Sequence, residues 1–260
     1  MRINESRRVQ RIAPRGLTWR QPAALALFVA FVACVAPDAM DAGADSRQDT
    51  HSYAQPDVAR VTHVALDLTA DFDAHTLEGT AKLAIQRWPD ADSIVLDVRD
   101  LTIEAVDDAN GDPLGFRLGE EAPYMGAPLI VELPESGDTI VVRYQTSPDA
   151  AAVQWLAPEQ TAGGEQPYLF TQGQAILTRT WIPTQDSPGI RQTYEARIVV
   201  PRGLRAVMSA EMLTPEGEPA AAAGGPDSVP QATGQRAAVA YRFRMDNPLS
   251  SRTTELNTSS

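Results

Sequence analysis

His51, His63, His75 and Cys34 are the side chains whose chemistry could hold a metal or attack a carbonyl, and their spacing gives them neither task. No two of the histidines stand at ligand spacing and none belongs to a His-Glu-x-x-His pair, so a zinc hydrolase site is not assembled from its usual parts. A single cysteine allows no internal disulfide and no Cys-based zinc site. There is no Gly-x-Ser-x-Gly elbow to expose a serine nucleophile, and neither kind of glycine-rich phosphate loop. His63 on an alternating strand and His75 in a turn then read as plain surface residues. One stretch stays unexplained, "QAILTRTWIPTQDSP" (Gln174 to Pro188), where a polar Gln opens an apolar run. It is either ordinary β-structure or one wall of a binding site.

The elements that would carry such a wall are strands. In "RVTHVALDLTADF" Thr62, Val64, Leu66 and Leu68 share one face, and in "TLEGTAKLAIQRW" Leu77, Gly79, Ala81, Leu83 and Ile85 oppose Glu78, Thr80, Lys82 and Gln86. A period of two means strands with one wet side, and "DFDAHT" between them predicts a hairpin. The pattern continues through "SIVLDV", "LTIEAV", a turn at Asn110-Gly111-Asp112, "PLGFRLG", "APLIVELP" and "DTIVVRYQTS". Pro148 to Pro167 is looser, and further strands are expected at Ala175 to Ile182, Thr193 to Val200 and Leu204 to Ser209. Pro, Gly and Ala fill Thr214 to Thr233, a long loop joining a hairpin whose second arm, Arg236 to Pro248, reads as the last strand. Short strands at intervals near ten residues predict an all-β, largely antiparallel sheet or sandwich.

Charge and hydropathy separate the ends from this body. The formal charge is −12, yet six arginines against Glu5 make the first 20 residues +5, leaving −17 for the rest. So acidic a body excludes an electrostatic grip on nucleic acid. Pro22 to Ala36, "PAALALFVAFVACVA", would reach about 22 Å as a helix, short of the roughly 30 Å hydrocarbon layer. A basic stretch followed by a short apolar one is an export signal, assigned to residues 1–36, with a periplasmic, membrane-anchored or secreted destination. Phe31-Val32-Ala33-Cys34 is similar to the lipobox of bacterial lipoproteins, with Phe31 where Leu is usual. Cys34 is then either a lipidation site that anchors the chain to a membrane or an apolar residue of a signal cleaved nearer Ala42 to Ala44. Residues 37–56 read as a flexible tether, 57–250 as the β domain and 251–260 as a polar tail without strand periodicity.

The segments His51 to Ile85, Val153 to Ala210 and Tyr241 to Ser251 resemble the N-terminal domain of leukotriene A(4) hydrolase-like enzymes, of the aminopeptidase N family of zinc metallopeptidases. Gln174-Ala175, Trp181-Ile182-Pro183 and Asp186-Ser187-Pro188 are the most specific part of the likeness. The resemblance implies a saddle-shaped, largely antiparallel β domain covering a thermolysin-like catalytic domain. It implies zinc in the full-length relatives, held by motifs later in their chains, and peptide N-termini as what they bind. It places Gln174 beside the bound N-terminal residue, with Ala175 next to it and Gln172 close by. An amide suits that place, because it offers a donor and an acceptor to a peptide's amine and carbonyl. No catalytic or metal residue is implied for this chain.

Beyond "FRMDNPLSS" the family continues into an apolar segment and the catalytic domain, whereas Arg252 to Ser260, "RTTELNTSS", is polar. The expectation is a truncated or frameshifted N-terminal domain of an exported zinc metalloaminopeptidase, inactive alone and lacking its catalytic domain. The alternative is a stand-alone β binding module or lipoprotein whose catalytic partner, if any, is separately encoded. A glycan binder presenting Trp88, Trp155 or Trp181 as aromatic platforms is a third reading.

Overall fold

The structure, a computed structural model, describes residues 49–220 and 238–259. Cys34, the export signal, most of the tether and the middle of the predicted loop lie outside them. The hairpin expected first is β1 (Ala59–Asp71) and β2 (Thr76–Arg87), paired antiparallel along their whole length. β3 (Ser93–Val98), β4 (Leu101–Asp108), β5 (Phe116–Leu118), β6 (Ala127–Glu132) and β7 (Thr139–Thr146) follow where alternation placed them. Next come β8 (Val153–Leu156), β9 (Tyr168–Thr171), β10 (Arg191–Pro201), β11 (Arg205–Met208), β12 (Glu211–Met212) and β13 (Glu218–Ala220), with β14 (Ala238–Ser250) and β15 (Leu256–Ser259) last.

These strands form three sheets. The large one runs β12-β14-β10-β1-β2-β7-β4, with β13 also on β14. A four-stranded sheet runs β11-β15-β9-β8 and a three-stranded one β3-β6-β5. Every strand pairing is antiparallel except β1 with β10, where His63 to Thr69 lie beside Thr193 to Val199 in parallel. The fold is all-β, as the alternation predicted.

Alternation decides what enters the core. Val64, Leu66 and Leu68 from β1, with Ala81 and Leu83 from β2, are buried together with Ile140 and Val142 of β7. Thr62 departs from its expected face: the β1–β2 register shifts between Val61 and His63, so Thr62 is the extra residue of a bulge. The shift lets Ala59 and Val61 join Val64 and Leu66 among the buried residues, although an unbroken period of two would turn them outward. Gly79 is needed where it stands, since a Cβ there would meet the backbone carbonyl oxygen of Asp67.

Four expectations are corrected. Ala175 to Ile182 is not a strand: Thr178–Thr180 form a 3-10 turn, and Leu177 N–H donates to Gly173 C=O at 2.9 Å. The looser segment contains a strand, β8, because Val153 and Trp155 find partners in Thr171 and Leu169. The polar tail is not structureless: β15 pairs with β11 on one side and β9 on the other, so β14 is not the last strand. Its hydroxyls are built in, Thr258 Oγ1 accepting from Leu169 N–H at 2.9 Å. Finally, of the three tryptophans named as aromatic platforms, Trp181 presents no face to a ligand. Trp181 is wholly buried, Trp88 lies under the Arg60 guanidinium at 5.6 Å, and Trp155 packs edge-on against Phe72.

Candidate functional site

The segment from Gln172 to Ser187 leaves β9, folds through the 3-10 turn and returns to β10 without joining a sheet of its own. Its first residues face outward: Gln172, Gln174 and Ala175 are exposed. The peptide bond between Gln174 and Ala175 is cis. Gln172 Oε1 accepts from Gln174 N–H at 3.0 Å, so one predicted site residue orients the backbone of the other. The three residues named from sequence are therefore brought together. Gly173 between them is buried, and a Cβ on it would run into Thr178 Oγ1 and lie 3.1 Å from the Arg252 carbonyl oxygen.

Behind this exposed rim is a buried polar core that sequence reading did not identify. Arg179, Asp97 and Asp186 are fully buried. The Arg179 guanidinium donates from Nε to Asp186 Oδ2 at 3.2 Å, from Nη1 to Met125 C=O at 2.9 Å and from Nη2 to His51 C=O at 2.7 Å. Asp97 accepts from Ser52 Oγ at 2.6 Å, Tyr53 N–H at 2.7 Å and Asp186 N–H at 2.8 Å. Three parts of the chain distant in sequence meet there, each contributing backbone groups that a charged side chain satisfies. Burial pushes the Asp186 carboxyl up, against the pull of Arg179. No local spacing signals this core, because two of the acceptors of Arg179, on Met125 and His51, lie far away in the chain.

Gln185 adds a neutral clamp, its Nε2 donating to Ala59 C=O and its Oε1 accepting from Val61 N–H, each at 2.9 Å. At the rim, Ser187 Oγ donates to Asp49 Oδ2 at 2.8 Å, while His51 Nδ1 lies 3.5 Å from Asp49 Oδ1. Burial works to raise the Asp49 carboxyl, but the His51 N–H, Ser187 hydroxyl and Arg252 charge together hold it below its ordinary value. The carboxylate stands between serine and histidine, the wrong order for an imidazole to take the serine's proton. The arrangement ties segments together and activates no nucleophile.

His63 and His75 take structural places. His63 Nδ1 lies 2.7 Å from Thr193 Oγ1 across the parallel pair, and His75, exposed in its turn, stacks on Trp155 at 5.4 Å between ring centroids. Among the described residues no group of three or more His, Cys, Asp or Glu could hold a metal ion.

Comparison with known proteins gives this geometry a lineage. Residues 52–218 match the model of the peptidase M1 N-terminal domain. The chain is 39% identical over 168 residues to a leukotriene A-4 hydrolase of Xenopus laevis, the match covering 62% of this chain and 27% of that protein. It is 38% identical over 142 residues to a leucine aminopeptidase 2 of Yarrowia lipolytica, covering 53% of this chain and 22% of that one. Its fold matches native leukotriene A4 hydrolase from Saccharomyces cerevisiae with a TM-score of 0.67 at 22% identity, over 81% of this chain and 30% of that one. An M1 zinc metallopeptidase from Deinococcus radiodurans matches with a TM-score of 0.55 at 18% identity, over 78% of this chain and 42% of that one. The chain thus spans about a quarter of the length of the curated relatives it matches. The strands from β1 to β12, the bulge, buried Arg179 and exposed Gln174 fall within the matched region, and by that match the chain belongs to the peptidase M1 family through its N-terminal domain.

Proposed function

We propose that this chain supplies one wall of the peptide-binding cleft of a zinc metalloaminopeptidase, with Gln174, Ala175 and Gln172 facing the N-terminal residue of the bound peptide. The observation carrying the reading is the exposure of these three residues on a segment whose opposite side is held by buried charge. An exposed amide on a fixed backbone can donate to a carbonyl and accept from an amine with little further ordering. On this reading the zinc named for a relative, and the water chemistry it would supply, belong to a catalytic domain that completes the cleft. This chain alone is then without hydrolytic activity. The basic and apolar segments before residue 37 support export, with Cys34 either the point of lipid attachment or a residue of a signal cleaved nearer Ala42 to Ala44.

The test is a titration of the chain with trialanine, followed by the side-chain amide signal of Gln174. A shift with trialanine that is absent with N-acetyl-trialanine is the expected result. Equal responses to both peptides would overturn the reading. The chain supplied with zinc should release no chromophore from leucine p-nitroanilide; turnover would overturn the assignment of the chemistry to another domain.

A further inference from the structure

We infer that Arg179 is a positioning residue for Gln174: buried and out of reach of any ligand, it sets the backbone from which that amide projects. The inference rests on the reading of Gln174 as part of the peptide cleft and deepens it.

The path from one residue to the other is short and fully bonded. Gln174 is fixed at its N–H by Gln172 Oε1, and the preceding residue, Gly173, accepts from Leu177 N–H at 2.9 Å. Leu177 C=O in turn accepts from Thr180 N–H at 2.9 Å and from Thr180 Oγ1 at 2.8 Å, closing the turn that contains Arg179. Arg179 then anchors the turn outward. Its C=O accepts from Arg99 N–H at 3.0 Å beside β3, and its own N–H approaches Asp186 Oδ2 at 3.4 Å.

The fork makes arginine necessary. Nε, Nη1 and Nη2 reach acceptors on residues 186, 125 and 51, in directions that a planar guanidinium spans and a single ammonium does not. Gly173 removes the remaining freedom: with Thr178 Oγ1 and Arg252 against it, the Gln172–Gln174 backbone has no room to slide over the turn. Loss of the fork therefore releases Gln174 locally, while β1 and β2 keep their own ladder.

The experiment compares the full chain with Arg179→Lys, which keeps the charge and loses the fork, and with Leu83→Ala, a core truncation on β2 that lowers stability elsewhere. Amide exchange and the Gln174 side-chain signal are read in each. The expected result for Arg179→Lys is exchange about tenfold faster or more at Leu177, with a displaced Gln174 signal and unchanged exchange at Leu66 and Ala81. Leu83→Ala should leave the Leu177 to Leu66 exchange ratio and the Gln174 signal as they are. Unchanged Leu177 and Gln174 in Arg179→Lys, or equal loosening of sheet and turn in both variants, overturns the inference. Should Arg179→Lys fail to fold, Asp186→Asn, which keeps the shape and neutralises the acceptor, carries the same readout. Trialanine added to the same samples tests the cleft separately. No response in the unsubstituted chain sinks the peptide reading, while the exchange pattern still decides whether Arg179 positions Gln174.

Discussion

The side-chain amide of Gln185 stands in for a strand partner of Val61, accepting its N–H at 2.9 Å while donating to Ala59 C=O at the same distance. β10 pairs with β1 only from His63 onward, so the earlier residues of β1 meet Gln185 instead. Gln185 is fully buried, and replacing it with Leu removes the side-chain partner of Val61 N–H, Ala59 C=O and Val95 C=O. The expected cost is about 2–4 kcal/mol, measured by urea unfolding. Gln185→Glu should cost at least as much, since it removes the donor and buries a charge.

Gln174→Ala should leave stability within about 0.5 kcal/mol of the unsubstituted chain, because the side chain is exposed. Gly173→Ala, one residue away, should cost about 1–3 kcal/mol, because its methyl meets Thr178 Oγ1 and the Arg252 backbone. Thermal unfolding of the pair checks both. A Gly173→Ala chain as stable as the unsubstituted one would disprove the close approach.

Alkali should unfold the domain through its buried phenols. Tyr144 donates to Trp181 C=O at 2.9 Å, and burial raises its ionisation far above the ordinary value. Burial also raises Tyr194, aided by Glu255 and opposed by Ser209. A phenol whose pKa is raised on folding contributes stability that is complete below its unfolded value, near 10, and lost as pH rises beyond it. Denaturant midpoints should therefore hold steady to about pH 9 and fall above it. The fall should be shallower in Tyr144→Phe.

Leu256 and Thr258 are fully buried, and the strand bearing them joins β11 to β9. Leu256→Ala should cost about 2–5 kcal/mol. Thr258→Val should leave Leu169 N–H unpaired and accelerate its exchange ahead of the large sheet. Exchange that quickens uniformly across both sheets would show that the tail strand does not act locally.

Strands that are wet on one side were legible in the sequence, because Val64, Leu66 and Leu68 or Ala81, Leu83 and Ile85 state their burial by spacing alone. The core behind Gln174 was not. Arg179 is buried by virtue of Asp186 seven residues on, and of Met125 and His51 far away in the chain, contacts that no local pattern records. Without those contacts the apolar run around it reads as a strand. β15 escaped for a related reason: its burial of Thr258 depends on a backbone N–H from β9, so a polar sequence lies in a buried position. Gln174 was singled out locally only as a polar residue opening an apolar run, and its place in a cleft is what the resemblance to a family implies.

The parallel pair also imposes a schedule on synthesis. β1 can zip to β2 as soon as the first hairpin leaves the ribosome, but His63 waits for Thr193, 130 residues downstream. Throughout that interval one margin of β1 stands open to any neighbouring nascent chain. A holdase that covers extended apolar segments would act in this window, and the window closes when β10 arrives.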